Sequence, residues 1–226
     1  MASWMIHLRV ADLLLDRIPD LDETAFVMGN IAPDSGTVSP DWSRYFPPKS
    51  VSHFKLESGE YDLPRFLGKY LTPELIRTYS RRAYSFFLGY YVHLLTDVKW
   101  AEKVYAPSRD KHLEATFRGD RTALIWALKK DWYDLDFRYL EEHPDFRAFR
   151  IYEEAVGFPN DLMDIFAPDA FEDRRHYVCS YYRGEHGELY RDYPWLTPAE
   201  ADSFVAETSA SIEPVLVPVF ALRAGA

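Results

Sequence analysis

Residues 89–100 read GYYVHLLTDVKW. His93 and Asp97 stand four residues apart, just over one helical turn, so a helix puts the imidazole and the carboxylate on one face. Phe86, Tyr90, Trp100 and Val104 share that face, which directs the pair inward. A buried imidazole and a buried carboxylate both need partners, because unpartnered polar groups are costly to take out of water. A plain His–Asp hydrogen bond meets that need, and so does a metal ion. Any fold for this chain must bury the pair and supply one answer or the other.

Helical spacing recurs along the chain. Residues 3–17 predict an amphipathic helix with Ser3 as N-cap. His7 lies on its inward stripe with Trp4, Ala11 and Leu14, either as a ligand or as a core histidine bonded to a backbone carbonyl. Asp22 caps a second helix running to about Asn30. The run GNIAPDSG, residues 29–36, breaks it in a turn that holds Asp34, and Asp is a turn former in its own right. Residues 37–59 read as an irregular loop, rich in proline (Pro40, Pro47, Pro48) and aromatics. Within it SHFK carries His53, and long ordered loops tend to be functional. An exposed loop histidine is the alternative. Trp42, Tyr45, Phe46 and Phe54 around it fit either a substrate wall or core.

Thr72 and Pro73 fit the N-cap and first position of one long helix over 72–105, with Arg77, Arg81 and Arg82 on a solvated face and Pro107 past its end. A less regular connection follows. Asp120 starts another helix ending before Pro144. Leu124, Leu128, Asp131 and Leu135 share one stripe of it, so Asp131 is a candidate extra ligand or half of a buried ion pair. Asp134 and Asp136 fit solvent. Thr197 and Glu200 form a capping box opening a C-terminal helix, which Pro214 and Pro218 should kink or end. His143, His176 and His186 read as surface residues. No period-2 pattern lasts long enough for a sheet. The expected architecture is all-α, a multi-helix bundle in one domain over residues 1–226.

Hydrophobic residues make up 47 % of the 226 and aromatics 16 %, enough for a core. The net charge of −10 argues against broad electrostatic binding to nucleic acid or anionic membranes, though not against a small phosphate compound. Cys179 is the one cysteine, so no intramolecular disulfide forms, which suits a reducing compartment. The first residues lack a secretory pattern. No run of about 18 uninterrupted apolar residues reads as membrane-spanning. The expected location is the cytoplasm.

His7, Asp34, His53, His93 and Asp97 together offer three imidazoles and two carboxylates, a set that suits zinc and also iron or manganese. Five ligands exceed one four-coordinate catalytic zinc. They fit two metals about 3.5–4 Å apart sharing a carboxylate, and Asp97 is the natural bridge. Such a site performs hydrolysis with a metal-activated water. No G-x-S-x-G elbow and no glycine-rich phosphate loop competes with it.

The order of these pieces resembles the zinc-dependent phospholipase C family, which is related to the fungal single-strand-specific zinc nucleases. The matching pieces are the early helix with His7, the G-x-x-x-P-D turn of Gly29 to Asp34, the loop S-H-F-K with His53, and G-Y-Y-V-H-L-L-T-D with His93 and Asp97. They span roughly the first 100 residues, and KKDWYDLD, residues 129–136, resembles a segment of smaller bacterial members. The resemblance implies an all-α fold holding up to three zinc ions and cleaving phosphodiester bonds. Carried over by position, Asp34, His53, His93 and Asp97 hold one zinc, and Asp97 and His7 a second. Asp34 also serves as, or orients, the general base.

Two departures stand out. Secreted members use the amine and carbonyl of a mature N-terminal tryptophan as ligands, whereas Trp4 here is preceded by three residues. They also place a histidine six residues after the bridging aspartate, where this chain has Lys103; His112 and Asp131 are the candidate replacements. The expected substrate is a small phosphoester or a phospholipid-like one. Two other readings stay open. One is a non-catalytic helical metal-binding protein. The other is an HD-type phosphohydrolase, against which stands the lack of any adjacent His–Asp pair.

Overall fold

Ser3, Asp22, Asp62, Thr72, Ser80 and Asp120 each accept a hydrogen bond from the backbone N–H three residues on. Each such cap satisfies one of the donors a helix start leaves free, and a helix begins after every one. The computed structural model describes residues 1–39 and 44–224. It contains α1 (Trp4–Leu15), α2 (Glu23–Ile31), a minimal ladder of β1 (Thr37–Val38) and β2 (Tyr45–Phe46), α3 (Lys49–Ser52), α4 (Leu63–Tyr70) and α5 (Pro73–Thr78). Then come α6 (Arg81–Trp100), α7 (Ala106–His112), α8 (Arg121–Glu142), α9 (Arg147–Glu154), α10 (Ala170–Tyr182) and α11 (Pro198–Ala224). The chain is mostly helical, as its periodicity predicts.

The strands pair antiparallel, Thr37 with Phe46 and Val38 with Tyr45, inside the stretch expected to be irregular. Pro40 and Trp42 of that stretch lie outside the described residues.

Several helices differ from expectation. The helix expected over 72–105 is two, because α5 ends at Thr78 and Ser80 caps α6 afresh. Past Trp100 the chain takes a π-helical turn, Ala101–Tyr105, and runs on into α7 with Pro107 in its first turn. The wider turn resets the hydrogen-bond ladder, and a first-turn proline lacks only an N–H that needs no intrahelical partner. α11 continues through Pro214 and Pro218. Both prolines and Ala210 are exposed, so the carbonyls released by the two missing N–H groups lie on the water side.

α1 is not amphipathic. It is buried along most of its length, from Met5 to Ala11 and again at Leu14 and Leu15. Arg9 is buried too, its guanidinium 3.9 Å from the Tyr139 ring centroid and paired with Asp202 of α11.

By length and composition α11 is apolar enough between Pro198 and Arg223 to cross a membrane, with a third of that stretch buried. Asp202, Glu207 and Glu213 interrupt its apolar run and bond Arg9, Lys103 and Arg17.

The contact that positions the site is α2 on α6. A Cβ on Gly29 would stand 2.0 Å from the Phe86 carbonyl oxygen, and one on Gly89 2.0 Å from that of Phe26. Only glycine allows the two backbones to cross this closely. Asn30 Nδ2 donates to the Gly89 carbonyl at 3.3 Å and ties the crossing.

Candidate metal centre

The crossing of α2 and α6 sets His93 against the end of α2. His93 Nδ1 lies 2.7 Å from the Asn30 carbonyl oxygen. A carbonyl only accepts, so Nδ1 holds the proton and Nε2 turns its lone pair the other way. α2 then runs into a 3-10 turn, Ala32–Asp34, that delivers the Asp34 carboxylate. α1 brings His7 over His93, and the C-terminal end of α3 brings His53.

These five residues converge. His7 Nε2 is 3.4 Å from Asp97 Oδ1, while His93 Nε2 and His53 Nε2 are 3.7 and 3.9 Å from Oδ2. His53 Nε2 is 3.2 Å from Asp34 Oδ1. Asp97 therefore turns one oxygen toward His7 and the other toward His53 and His93. Among the described residues two sets of ligand atoms are close enough to hold a metal ion, each within 4.8 Å: His7, His93 and Asp97, and Asp34, His53 and His93.

The polar atoms around the cluster could hold a metal ion. His7 Nδ1 and Nε2, His53 Nε2 and His93 Nε2 are buried and have no hydrogen-bond partner among the described residues. Buried imidazole nitrogens facing carboxylates without bonding them have the chemistry of ligands awaiting a cation.

The supporting atoms are all in place. Ser52 Oγ meets His53 Nδ1 at 2.9 Å, Tyr61 OH donates to Asp97 Oδ2 at 3.0 Å, and Ala2 N–H donates to Asp97 Oδ1 at 2.8 Å. The Trp4 indole N–H donates to Asp34 Oδ2 at 3.0 Å. Partners of this kind orient ligands and fix their protonation.

Electrostatics agree. Burial and the neighbouring His7 push His93 down to about 3 against the pull of the carboxylates, so it is neutral at neutral pH. Burial alone would raise Asp97, but the chain's amino group, His7 and His93 outweigh it and hold the carboxyl well below its usual range. Asp34 is held low in the same way, by His53, His93 and Lys49 against burial. Burial and Asp97 push Tyr61 far up, so it stays a phenol that donates.

The structure does not bring Asp131 to this cluster. Its buried carboxylate takes Arg191 at 2.9 Å and the Trp195 N–H at 2.8 Å, the ion-pair alternative. His112 sits edge-on against Trp195, ring centroids 5.0 Å apart, also apart from the two ligand sets. Asp136, expected in solvent, is buried between Ser3 and Tyr182. The aromatics near His53 divide: Phe54 is core against Phe66, whereas Tyr45 and Phe46 are exposed.

Sequence reading missed Asn30, Ser52 and Tyr61. The Asn30 contact is through its backbone, which carries no residue signature. Tyr61 lies in a loop whose fold nothing local dictates. Comparison of the chain with protein-family models, with curated proteins and with solved structures yields no match.

Proposed function

We propose that this protein is a metal-dependent hydrolase of phosphate esters, phosphodiesters foremost, with zinc as the first candidate metal and iron or manganese as the others. One observation carries the reading: buried imidazole nitrogens of His7, His53 and His93, without a hydrogen-bond partner among the described residues, face the ionised carboxylates of Asp34 and Asp97. The order of these residues, which resembles the zinc-dependent phospholipase C family, supports it.

His7 and Asp97 would hold one metal, and Asp34, His53, His93 and Asp97 the other. When bound, such a pair lowers the pKa of a water toward neutrality and offsets charge developing on a phosphoryl oxygen. The chain's own residues do the rest. Neutral His93 offers Nε2 without first losing a proton, because Asn30 already takes its N–H. Asp34 alone of the five is half-buried, so solvent reaches it and not the other four. Its low pKa keeps it ionised, and the Trp4 indole fixes Oδ2, which fits it to orient a water. Tyr61 and the Ala2 N–H hold Asp97 still.

The test is metal content of the purified protein by mass spectrometry, beside His93→Ala, followed by turnover of a chromogenic phosphodiester. Two metals per chain that fall in the variant, with turnover lost alongside, support the reading. Metal without turnover favours a non-catalytic metal-binding protein. No metal, even after zinc loading, overturns both.

A further inference from the structure

In a chain with net charge −10 most cations find acids. Arg82 takes Asp161, Arg147 takes Asp16 and Glu23, and Arg183 takes Glu153. Lys49, Lys55, Lys129 and Arg174 take none among the described residues, and all four are half-buried. Aromatic faces hold them instead. Lys49 Nζ is 5.0 Å from the Tyr45 ring centroid, Lys55 Nζ 5.3 Å from Tyr61 and Lys129 Nζ 5.2 Å from Trp126. The Arg174 guanidinium is 5.5 Å from Trp4 and 5.4 Å from Tyr177.

Two of these supports lead to the cluster. Tyr61 is the phenol bonded to Asp97, and Trp4 is the indole bonded to Asp34. Lys49 opens α3, which His53 caps; burial lowers its pKa, and the charges of Asp34, Asp97, Lys55 and Lys129 also act on it. Arg174 Nη2 donates to the carbonyl of Gly36, two residues past Asp34, at 2.7 Å, while its buried Nε has no partner among the described residues. A ring face holds a cation in place without neutralising it, so the positive charge stays available to a ligand.

We propose that Lys49, Lys55, Lys129 and Arg174 form a cationic rim at the cluster that selects a phosphate compound carrying two or more negative charges over a monoanionic or zwitterionic one. The proposal rests on the phosphoester reading and narrows it, from diesters in general to phosphomonoesters and to diesters that carry a second anionic group. Ammonium point charges and an arginine fork are the groups that recognise phosphate oxygens. With metals bound, the carboxylates of Asp34 and Asp97 are offset, and the rim adds a further positive field. A choline-type headgroup would meet repulsion from it.

Calorimetric titration of the full chain, metal-free and zinc-loaded, tests this with inorganic phosphate at pH 8 and with dimethyl phosphate. Wild type is expected to prefer the dianion at least tenfold, with affinity falling as salt rises. Lys49→Met and Lys129→Met should each weaken phosphate at least fivefold, while Lys49→Arg stays within about twofold. Equal affinity for the two probes, unchanged affinity in both Met variants, or no phosphate binding by either form overturns the rim. Metal content is read on the same samples. Rim-dependent binding by a protein that takes up no metal would sink the hydrolase reading alone, and metal uptake without rim dependence would sink the rim alone. Sedimentation with vesicles of phosphatidic acid in phosphatidylcholine separates the sources. Pelleting lost in the Met variants assigns a lipid monoester, and phosphate binding without pelleting assigns a soluble one; both support the rim.

Discussion

The rings of His7 and His93 stack with centroids 3.7 Å apart and planes 6° from parallel. Two imidazolium charges cannot share that space out of water, and burial together with His7 holds His93 down to about 3. In the unfolded chain the same group titrates near 6.5. Between those values the unfolded chain binds the extra proton, so the contribution of this group to the stability of the metal-free protein is full above about pH 6.5 and is lost as pH drops toward 3. One proton gives a slope of up to about 1.4 kcal/mol per pH unit. Urea unfolding of chelator-treated protein from pH 7 to pH 4.5 should show it, and His93→Gln should flatten it. An identical slope in the variant would place the proton elsewhere.

The Gly29–Gly89 crossing predicts an asymmetry among glycines. Gly29→Ala drives a methyl into the Phe86 carbonyl, backbone that moves only with all of α6. Overpacking costs about 1–3 kcal/mol or more, and here it also shifts the Asn30 carbonyl off His93. Thermal unfolding should show a large loss, with metal content falling too. Gly68→Ala, in α4 with nothing within 4 Å, should instead stabilise by about 0.5–1 kcal/mol. A Gly29→Ala protein as stable as wild type would mean that the helices cross elsewhere.

Asp131 separates a ligand from an ion pair. Arg191 keeps Asp134 as a second acid, so Asp131→Asn costs a charged hydrogen bond, about 1.5–3 kcal/mol, rather than stranding a bare cation. Metal content should be unchanged. A drop in bound metal without a drop in stability would restore Asp131 to the ligand set.

What could be read from the sequence follows the range of the interactions. Caps such as Ser3, Asp22 and Thr197 act three residues away, and the chain shows them openly; the Thr197 N–H donates to the Glu200 carboxylate and the Glu200 N–H to the Thr197 hydroxyl, as the capping box requires. His93 and Asp97 are one turn apart, so their shared inward face was legible too. His7, Asp34 and His53 were picked out by residue type and surroundings, while their meeting depends on the α2–α6 crossing. The partner of Asp131 lies 60 residues on, at Arg191, and spacing along α8 cannot announce it. The rim was invisible for the same reason: Lys49, Lys129 and Arg174 belong to three different helices.

Asp136 shows how a misplaced residue becomes a measurable one. It was expected in solvent because it falls off the leucine stripe, yet the buried face of α8 is wide enough to take it in. There it accepts from Ser3 Oγ and Tyr182 OH, both at 2.8 Å, tying the start of α1 to α8 and α10. Burial pushes its carboxyl up to about 7, against those two bonds and Arg9. The folded protein therefore keeps a proton that the unfolded chain releases near 4. Stability contributed by this group is greatest below about pH 4 and falls as pH rises to about 7, opposite in sign to the His93 effect. Asp136→Asn keeps a neutral side chain of the same shape. It should match wild type near pH 4.5 and exceed it at pH 8 by on the order of a few kcal/mol. Wild type and variant with parallel stability curves from pH 4.5 to 8 would show that Asp136 is ionised in the fold throughout.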